Sequence, residues 1–246
     1  MKNAQKIKTI FIGINVILFS LVSCDNSTEK IDSGKPAKLN TDFSERAEYH
    51  IVKPQELDPE RIDIDSLYVQ IAYQISTDRL IIIGKSENDD PQGLRMLLVN
   101  PKKNYKLIYR SRGAWDSWTM HPTFFNSNIK GSSTVILVAH GTSESWGQQV
   151  FLMKGDIVKE IGFIDVTHKE QADTSFYEDG FRLTDIGPLT KIRTKGGLLN
   201  FSFQADSILY YGTIGDQYDI TFSGDKLEYN YDGDSLKVVV KDLRGF

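Results

Sequence analysis

The residues that carry the most chemistry per unit length are Trp115, Asp116, Ser117, Trp118, Thr119, Met120 and His121, with Pro122 behind them. Two indoles, a carboxylate and an imidazole sit almost side by side. Exposed indoles would stack on a sugar or a peptide, and Asp116 and His121 would hydrogen-bond beside them. Extended backbone sends alternate side chains to opposite faces. Asp116, Trp118 and Met120 then share one face, and Ser117, Thr119 and His121 the other, so Asp116 and His121 need not meet. A strand end with two core tryptophans fits the same run.

A second polar stretch follows the apolar run Val135-Ile136-Leu137-Val138-Ala139. It reads His140-Gly141-Thr142-Ser143-Glu144-Ser145-Trp146-Gly147. Gly141 to Ser145 is one residue off Gly-x-Ser-x-Gly, the elbow that presents a serine nucleophile between a strand and a helix. Here a strand pattern follows, so a hydrolase triad is not supported. A polar loop that holds His140 and Glu144 near a ligand is the better reading. Asp65, Asp116, Glu144 and Asp185 lie near strand ends, where a glycosidase would need two or three carboxylates at set separations. Nothing in the spacing pairs them.

Metal sites find little support. Glu228, Asn230, Asp232 and Asp234 alternate around Gly233, but the last position of a calcium loop would be Val239 rather than glutamate. A hairpin turn explains the run better. His50, His121, His140 and His168 are isolated, without zinc-ligand spacing. No metal and no cofactor is expected.

The elements that must position these residues read as strands. Leu67, Val69, Ile71, Tyr73 and Ile75 alternate with more polar neighbours, the mark of a half-buried strand. Leu80-Ile81-Ile82-Ile83-Gly84 is short, β-branched and uninterrupted, as in a strand buried on both faces. Further strands are expected over residues 94–99, 105–109, 134–140, 149–153, 157–164, 189–193, 198–203 and 208–211, with turns such as Lys154-Gly155-Asp156 and Lys195-Gly196-Gly197. Residues 49–65 read as an irregular lead-in, and residues 168–179 as a short helix or a loop. Tyr218, Ile220 and Phe222, then Leu227, Tyr229 and Tyr231, then Leu236, Val238 and Val240 predict a closing three-stranded meander. No stretch sustains a period of 3.6 with caps. Roughly 13 to 15 short strands predict an all-β fold of antiparallel meanders. Residues 80–110 and 135–164 repeat one pattern of apolar strand, polar loop, strand, turn and strand. That resembles successive blades of a β-propeller, so a propeller-like arrangement is favoured, with a β-sandwich or an open barrel as alternatives.

Composition narrows the function classes. The chain has 246 residues and a formal charge of −4. Removing residues 1–23, which hold Lys2, Lys6 and Lys8 and no acid, takes it to −7. Such a chain is a poor candidate for nucleic acid, which is bound through Lys and Arg on phosphates. Eleven Tyr, 13 Phe and three Trp against seven Pro suit a β-rich globular domain.

The only cysteine is Cys24. Ahead of it come the basic start and an almost wholly apolar run over residues 10–22. That run is shorter than the roughly 20 residues a membrane span needs, and the plan is that of a secretory signal. Leu21-Val22-Ser23-Cys24 resembles the lipobox of bacterial lipoproteins. The resemblance implies cleavage before Cys24, a diacylglycerol on its sulfur and a place on the extracytoplasmic side of the cell envelope. With the sulfur taken, disulfide and cysteine-nucleophile chemistry is excluded. Residues 1–23 are then the signal, residues 24–47 the lipidated cysteine and a polar tether, and residues 48–246 one all-β domain. A tether of about 22 residues spans roughly 25 Å.

The expectation is a membrane-anchored, non-catalytic binding or envelope-associated module. Its partners would be the membrane, through its lipid, and a carbohydrate or protein ligand. A small carbohydrate-active hydrolase is the alternative. The candidate ligand-binding residues are Trp115, Asp116, Trp118, His121, His140 and Glu144.

Overall fold

Strand β8 (Thr134–Gly141) is buried on both faces, and the fold is built outward from that fact. Val135 and Leu137 point to one hydrophobic core, while Ile136 and Val138 point to another. A strand covered on both sides has no solvent face to mark with polar residues, which explains the unbroken apolar run. The computed structural model describes residues 43, 46–87, 93–114, 117, 119–141, 146–175, 177, 180–214 and 217–241. Among them there are eighteen strands and no α-helix.

Nine strands form one antiparallel sheet. Its order is β10 (Ile157–Ile164), β9 (Trp146–Lys154), β8, β7 (Met120–Ser127), β1 (Glu48–Val52), β13 (Thr190–Lys195), β14 (Leu198–Phe203), β17 (Leu227–Tyr231) and β18 (Leu236–Val240). The sheet curls until its two edges approach. Across that seam Lys159 Nζ of β10 donates to Tyr231 Oη at 2.7 Å and to the Gly233 carbonyl at 2.9 Å. Gly162, at φ +147°, lies so near Leu236 that an added Cβ would sit 2.9 Å from the Leu236 Cβ. The result is a nearly closed barrel. Its interior is filled by Leu137, Leu152, Phe201, Tyr229 and Tyr231, among others. Each such side chain contributes about 1.5–3 kcal/mol relative to exposure.

A five-stranded antiparallel sheet packs against the outside of β7, β8 and β9. Its order is β2 (Gln55–Leu57), β3 (Leu67–Ser76), β4 (Arg79–Ser86), β5 (Arg95–Asn100) and β6 (Lys106–Arg110). Ile81, Ile83, Met96 and Leu98 meet Ile136, Val138, Phe151 and Met153 in the second core. On the far face Ala72, Leu80, Ile82, Leu97 and Val99 are covered in part by Ile62, Ile64 and Leu67. A four-stranded sheet, β12 (Phe181–Thr184), β11 (Val166–Gln171), β15 (Ile208–Tyr210) and β16 (Ile220–Phe222), adds Val166, Ile208, Tyr210, Ile220 and Phe222 to the barrel core.

The all-β, antiparallel expectation holds, and the nearly closed barrel-like sheet with a second sheet packed on it fits the barrel or sandwich alternatives rather than the favoured propeller-like arrangement. The two stretches that looked like successive blades are β4-β5-β6 and β8-β9-β10. They are alike because each is a meander, and they pack face to face in different sheets. The glycine turns are as expected. In Lys195-Gly196-Gly197-Leu198 both glycines have positive φ, which the two-residue hairpin connection requires.

Other expectations are corrected. Residues 49–65 are no mere lead-in, because β1 pairs with both β7 and β13 and joins the two halves of the barrel. Its signal was weak because only Tyr49 of its five residues is buried. Residues 168–171, the start of the stretch expected to be a short helix or a loop, instead belong to β11 (Val166–Gln171), where pairing on both edges overrides their polar character. The closing meander is broken. β16 pairs with β15, and a short 3₁₀ turn, Gly224–Lys226, carries the chain across to β17 in the barrel. Phe43 and Ala47, in the segment assigned to the tether, are buried in the barrel core.

Candidate functional site

Of the residues singled out in the sequence, His121 and His140 are described, and Trp115, Asp116, Trp118, Glu144 and Cys24 lie outside the described residues. The two histidines are on neighbouring strands. Met120 pairs with His140 and His121 with Ala139, so alternation puts the imidazoles on opposite faces.

His140 faces outward from the barrel and is 8% exposed. Its ring lies tilted beside Phe163, with centroids 5.1 Å apart. Gly147 makes this possible, since a Cβ there would come within 2.4 Å of the Phe163 ring. Neither imidazole nitrogen has a partner among the described residues. Burial drives the pKa down to about 4, only partly opposed by Glu160. Burial therefore favours the neutral imidazole in the folded chain.

His121 is exposed and shares its face with Ala139 and Gln148, and Gln148 in turn bonds Asp185. The Asp185 Oδ1 accepts from Gln148 Nε2 at 2.9 Å and from the Gly187 N–H at 2.7 Å. Burial raises its pKa, while those two donors and the His121 charge pull it down. Gln148 is 2% exposed, and its Oε1 has no partner among the described residues. This is one half-buried carboxyl, held by donors. Asp65, the other described carboxylate of the glycosidase reading, lines a different part of the protein, so the fold does not bring the two together. Among the described residues no group of three metal-ligating side chains is gathered.

A concavity lined by described residues lies elsewhere, on the far face of the five-stranded sheet. It is a cleft of about 470 Å³, within the range of small-molecule sites. Leu97 and Val99 of β5, with Ile64 and Leu67, supply apolar surface, and Tyr105 and Leu107 line it beside them. Among the described residues Arg95, Arg110 and Asp65 bring charge to its edge, while Lys85, which pairs with Tyr68, turns to the other face of the sheet and lies over the Tyr68 ring. Register explains the mixture. Arg95, Leu97 and Val99 alternate onto the same face of β5, and Arg110 pairs with Leu97 across β6. A shift in the ladder at Leu98/Val99 puts Leu107 opposite Val99 while Tyr109 stays opposite Leu98. Leu107 thus faces the cleft, and Tyr109 turns to the second core.

The backbone around the cleft is strained. Four non-glycine residues among those described have positive φ. Ser66 (φ 59°) and Tyr105 (φ 51°) line the cleft, and Asn104 (φ 50°) adjoins Tyr105. For a bulky side chain such as tyrosine this is an outlier, and each strained residue costs on the order of 1–3 kcal/mol. Gly84 lets the Ser66 side of the cleft approach, because a Cβ there would lie 2.5 Å from the Tyr68 carbonyl oxygen. Reasoning from sequence passed over this site. The one legible sign was an arginine, Arg95, in the apolar register of a core strand.

Comparison with family models, with curated proteins and with solved structures found no match.

Proposed function

We propose that the chain is a lipid-anchored, non-catalytic binding domain on the extracytoplasmic side of the cell envelope, and that it takes a small ligand in the cleft of the five-stranded sheet. The observation that carries the binding half is the cleft itself, where strained backbone surrounds an apolar floor edged by charge. Strain of this kind persists only where surrounding structure over-determines it, and it clusters at ligand clamps. The anchoring half rests on Leu21-Val22-Ser23-Cys24 and the basic, apolar run ahead of it. Among the described residues no helix is long and apolar enough to cross a membrane.

Metabolic labelling with a palmitate analogue tests the anchor. Label is expected on the wild type and not on Cys24→Ser, and label retained by that variant would refute lipidation there. Binding is tested by thermal shift of the full chain against a small-molecule panel, using Leu107→Glu as the comparison. Leu107 is 36% exposed, so the change is tolerable to the fold while it puts a carboxylate into the cleft. A ligand that stabilises the wild type and the variant equally would show that the cleft is not the site.

A further inference from the structure

Two buried side chains outside the cleft hold polar atoms that no described residue satisfies. His140 is 8% exposed, and neither of its ring nitrogens has a partner. Gln149 is 5% exposed, and its Oε1 has none either. An orphaned buried polar atom costs about 1–3 kcal/mol, so such atoms are rare and commonly mark an ion or a water. Register puts these two side chains together. Both belong to the face of the barrel sheet that carries Val138 and Phe151 into the second core. Gln149 pairs with Val138, two residues before His140, so the imidazole and the amide are diagonal neighbours.

A third donor faces them. Met120 is fully buried and pairs directly with His140. Directly opposite residues have Cβ atoms about 4.5–5.5 Å apart and diagonal ones stand at about 7–8 Å, distances that a flexible thioether and a long amide side chain can span. On the other side of His140 stands Gly147, and the Phe163 ring takes the space that a side chain there would need. We propose that Met120, His140 and Gln149 form a binding site for one copper(I) ion, held by the thioether sulfur, an imidazole nitrogen and the amide oxygen.

The donors select the metal. Thioether and imidazole suit copper(I), whereas calcium and magnesium take shells of oxygen. All three donors are uncharged, so a doubly charged ion buried among them would go uncompensated, which disfavours zinc as well. Glu160 shares this face, opposite Phe151, but Arg112 already holds its carboxylate. Clusters of His, Cys and carboxylate, the usual zinc donors, are not gathered among the described residues. The sequence hides such a site because its donors come from three strands and only one of them is a histidine. The site is separate from the cleft on the far face of the five-stranded sheet, and neither depends on the other. Other features of the molecule point nowhere as definite. Phe181 and Leu183 are exposed on edge strand β12, but Lys169 sits 4.5 Å over the Phe181 ring and nothing shows what would cover them.

The test is competition for copper(I) held by bicinchoninate under anaerobic, reducing conditions. The full chain carries Cys24→Ser, in mild detergent, so that no thiol competes for the metal. It is expected to withdraw a single equivalent. Met120→Leu is close in volume and tolerated in a core, and it should bind copper(I) at least about tenfold more weakly. His140→Leu should do the same. Zinc should bind at least about tenfold more weakly than copper(I). Imidazole proton–nitrogen spectra read the intact site directly. Silver(I), a soft ion without redox chemistry, should shift the ring nitrogens of His140 and leave those of His50, His121 and His168 in place. Failure to withdraw copper(I), or an affinity unchanged in Met120→Leu, would overturn the proposal. A His140 signal unmoved by silver(I) would overturn it too, and would leave a trapped water as the partner of the orphaned atoms.

Discussion

Replacing His140 by leucine should alter how stability depends on pH more than it alters stability itself. The imidazole is buried beside Phe163, with neither nitrogen bonded among the described residues. Burial lowers its pKa from the ordinary 6.5 to about 4. Between those values the unfolded chain holds a proton that the folded chain rejects, so stability falls as pH falls. Above about pH 6.5 both states are neutral and the group contributes no slope. At pH 5 the linkage amounts to about 2 kcal/mol, and below pH 4 it approaches about 3 kcal/mol. Leucine is close to histidine in size and leaves no orphan nitrogen, so at about pH 7.5 the variant should match the wild type or gain about 1 kcal/mol. Urea unfolding at about pH 7.5 and about pH 5, followed by far-ultraviolet circular dichroism, measures both quantities. The variant should gain about 2 kcal/mol on the wild type between the two conditions. A difference between the proteins that does not change with pH would refute the buried, neutral imidazole. A loss of several kcal/mol at the higher pH would show that the ring is hydrogen-bonded.

Three further outcomes follow from the barrel and its polar end. Lys159→Met removes both hydrogen bonds across the seam while Tyr231 Oη can still donate to the Gly233 carbonyl, so a loss of about 1–2 kcal/mol in denaturant unfolding is expected. Gly162→Ala combines a left-handed φ with a contact on Leu236, and it should lower the thermal midpoint and raise amide exchange in β10 and β18 before the rest of the barrel. An unchanged exchange pattern would mean that the seam is open. Asp185→Asn keeps an Oδ1 acceptor for Gln148 and Gly187 but removes the half-buried charge. Because burial raises the folded pKa above the ordinary 3.8, the wild type loses stability as pH rises through that range. The variant should show no such loss in a pH series of thermal melts.

Strands were legible wherever burial left a plain mark. β4 and β8 read correctly because both faces of each are covered, and the hairpin at Gly196-Gly197 because its positive φ values call for glycine. Pairing was less legible. Nothing local in Ser223-Gly224-Asp225-Lys226 says that the chain changes sheets there, since a hairpin turn and a 3₁₀ crossing use the same residues. β1 was missed because its worth lies in joining β7 to β13, a long-range fact that five half-exposed residues do not express. His121 and His140 drew notice by residue type, yet register sends them to opposite faces. The cleft was hidden for a different reason. Its lining comes from four separate stretches, and the left-handed backbone at Ser66 and Tyr105 runs against what those residue types lead one to expect.

The most direct measurement is of what the protein carries when it is isolated. Full-length wild type and Leu107→Trp would be extracted in mild detergent, washed, denatured, and the released small molecules compared by mass spectrometry. The account predicts a stoichiometric small molecule released from the wild type and depleted in the variant, whose indole fills the cleft. The same molecules in the same amounts from both proteins, or only bulk lipid in its bulk proportions, would contradict it.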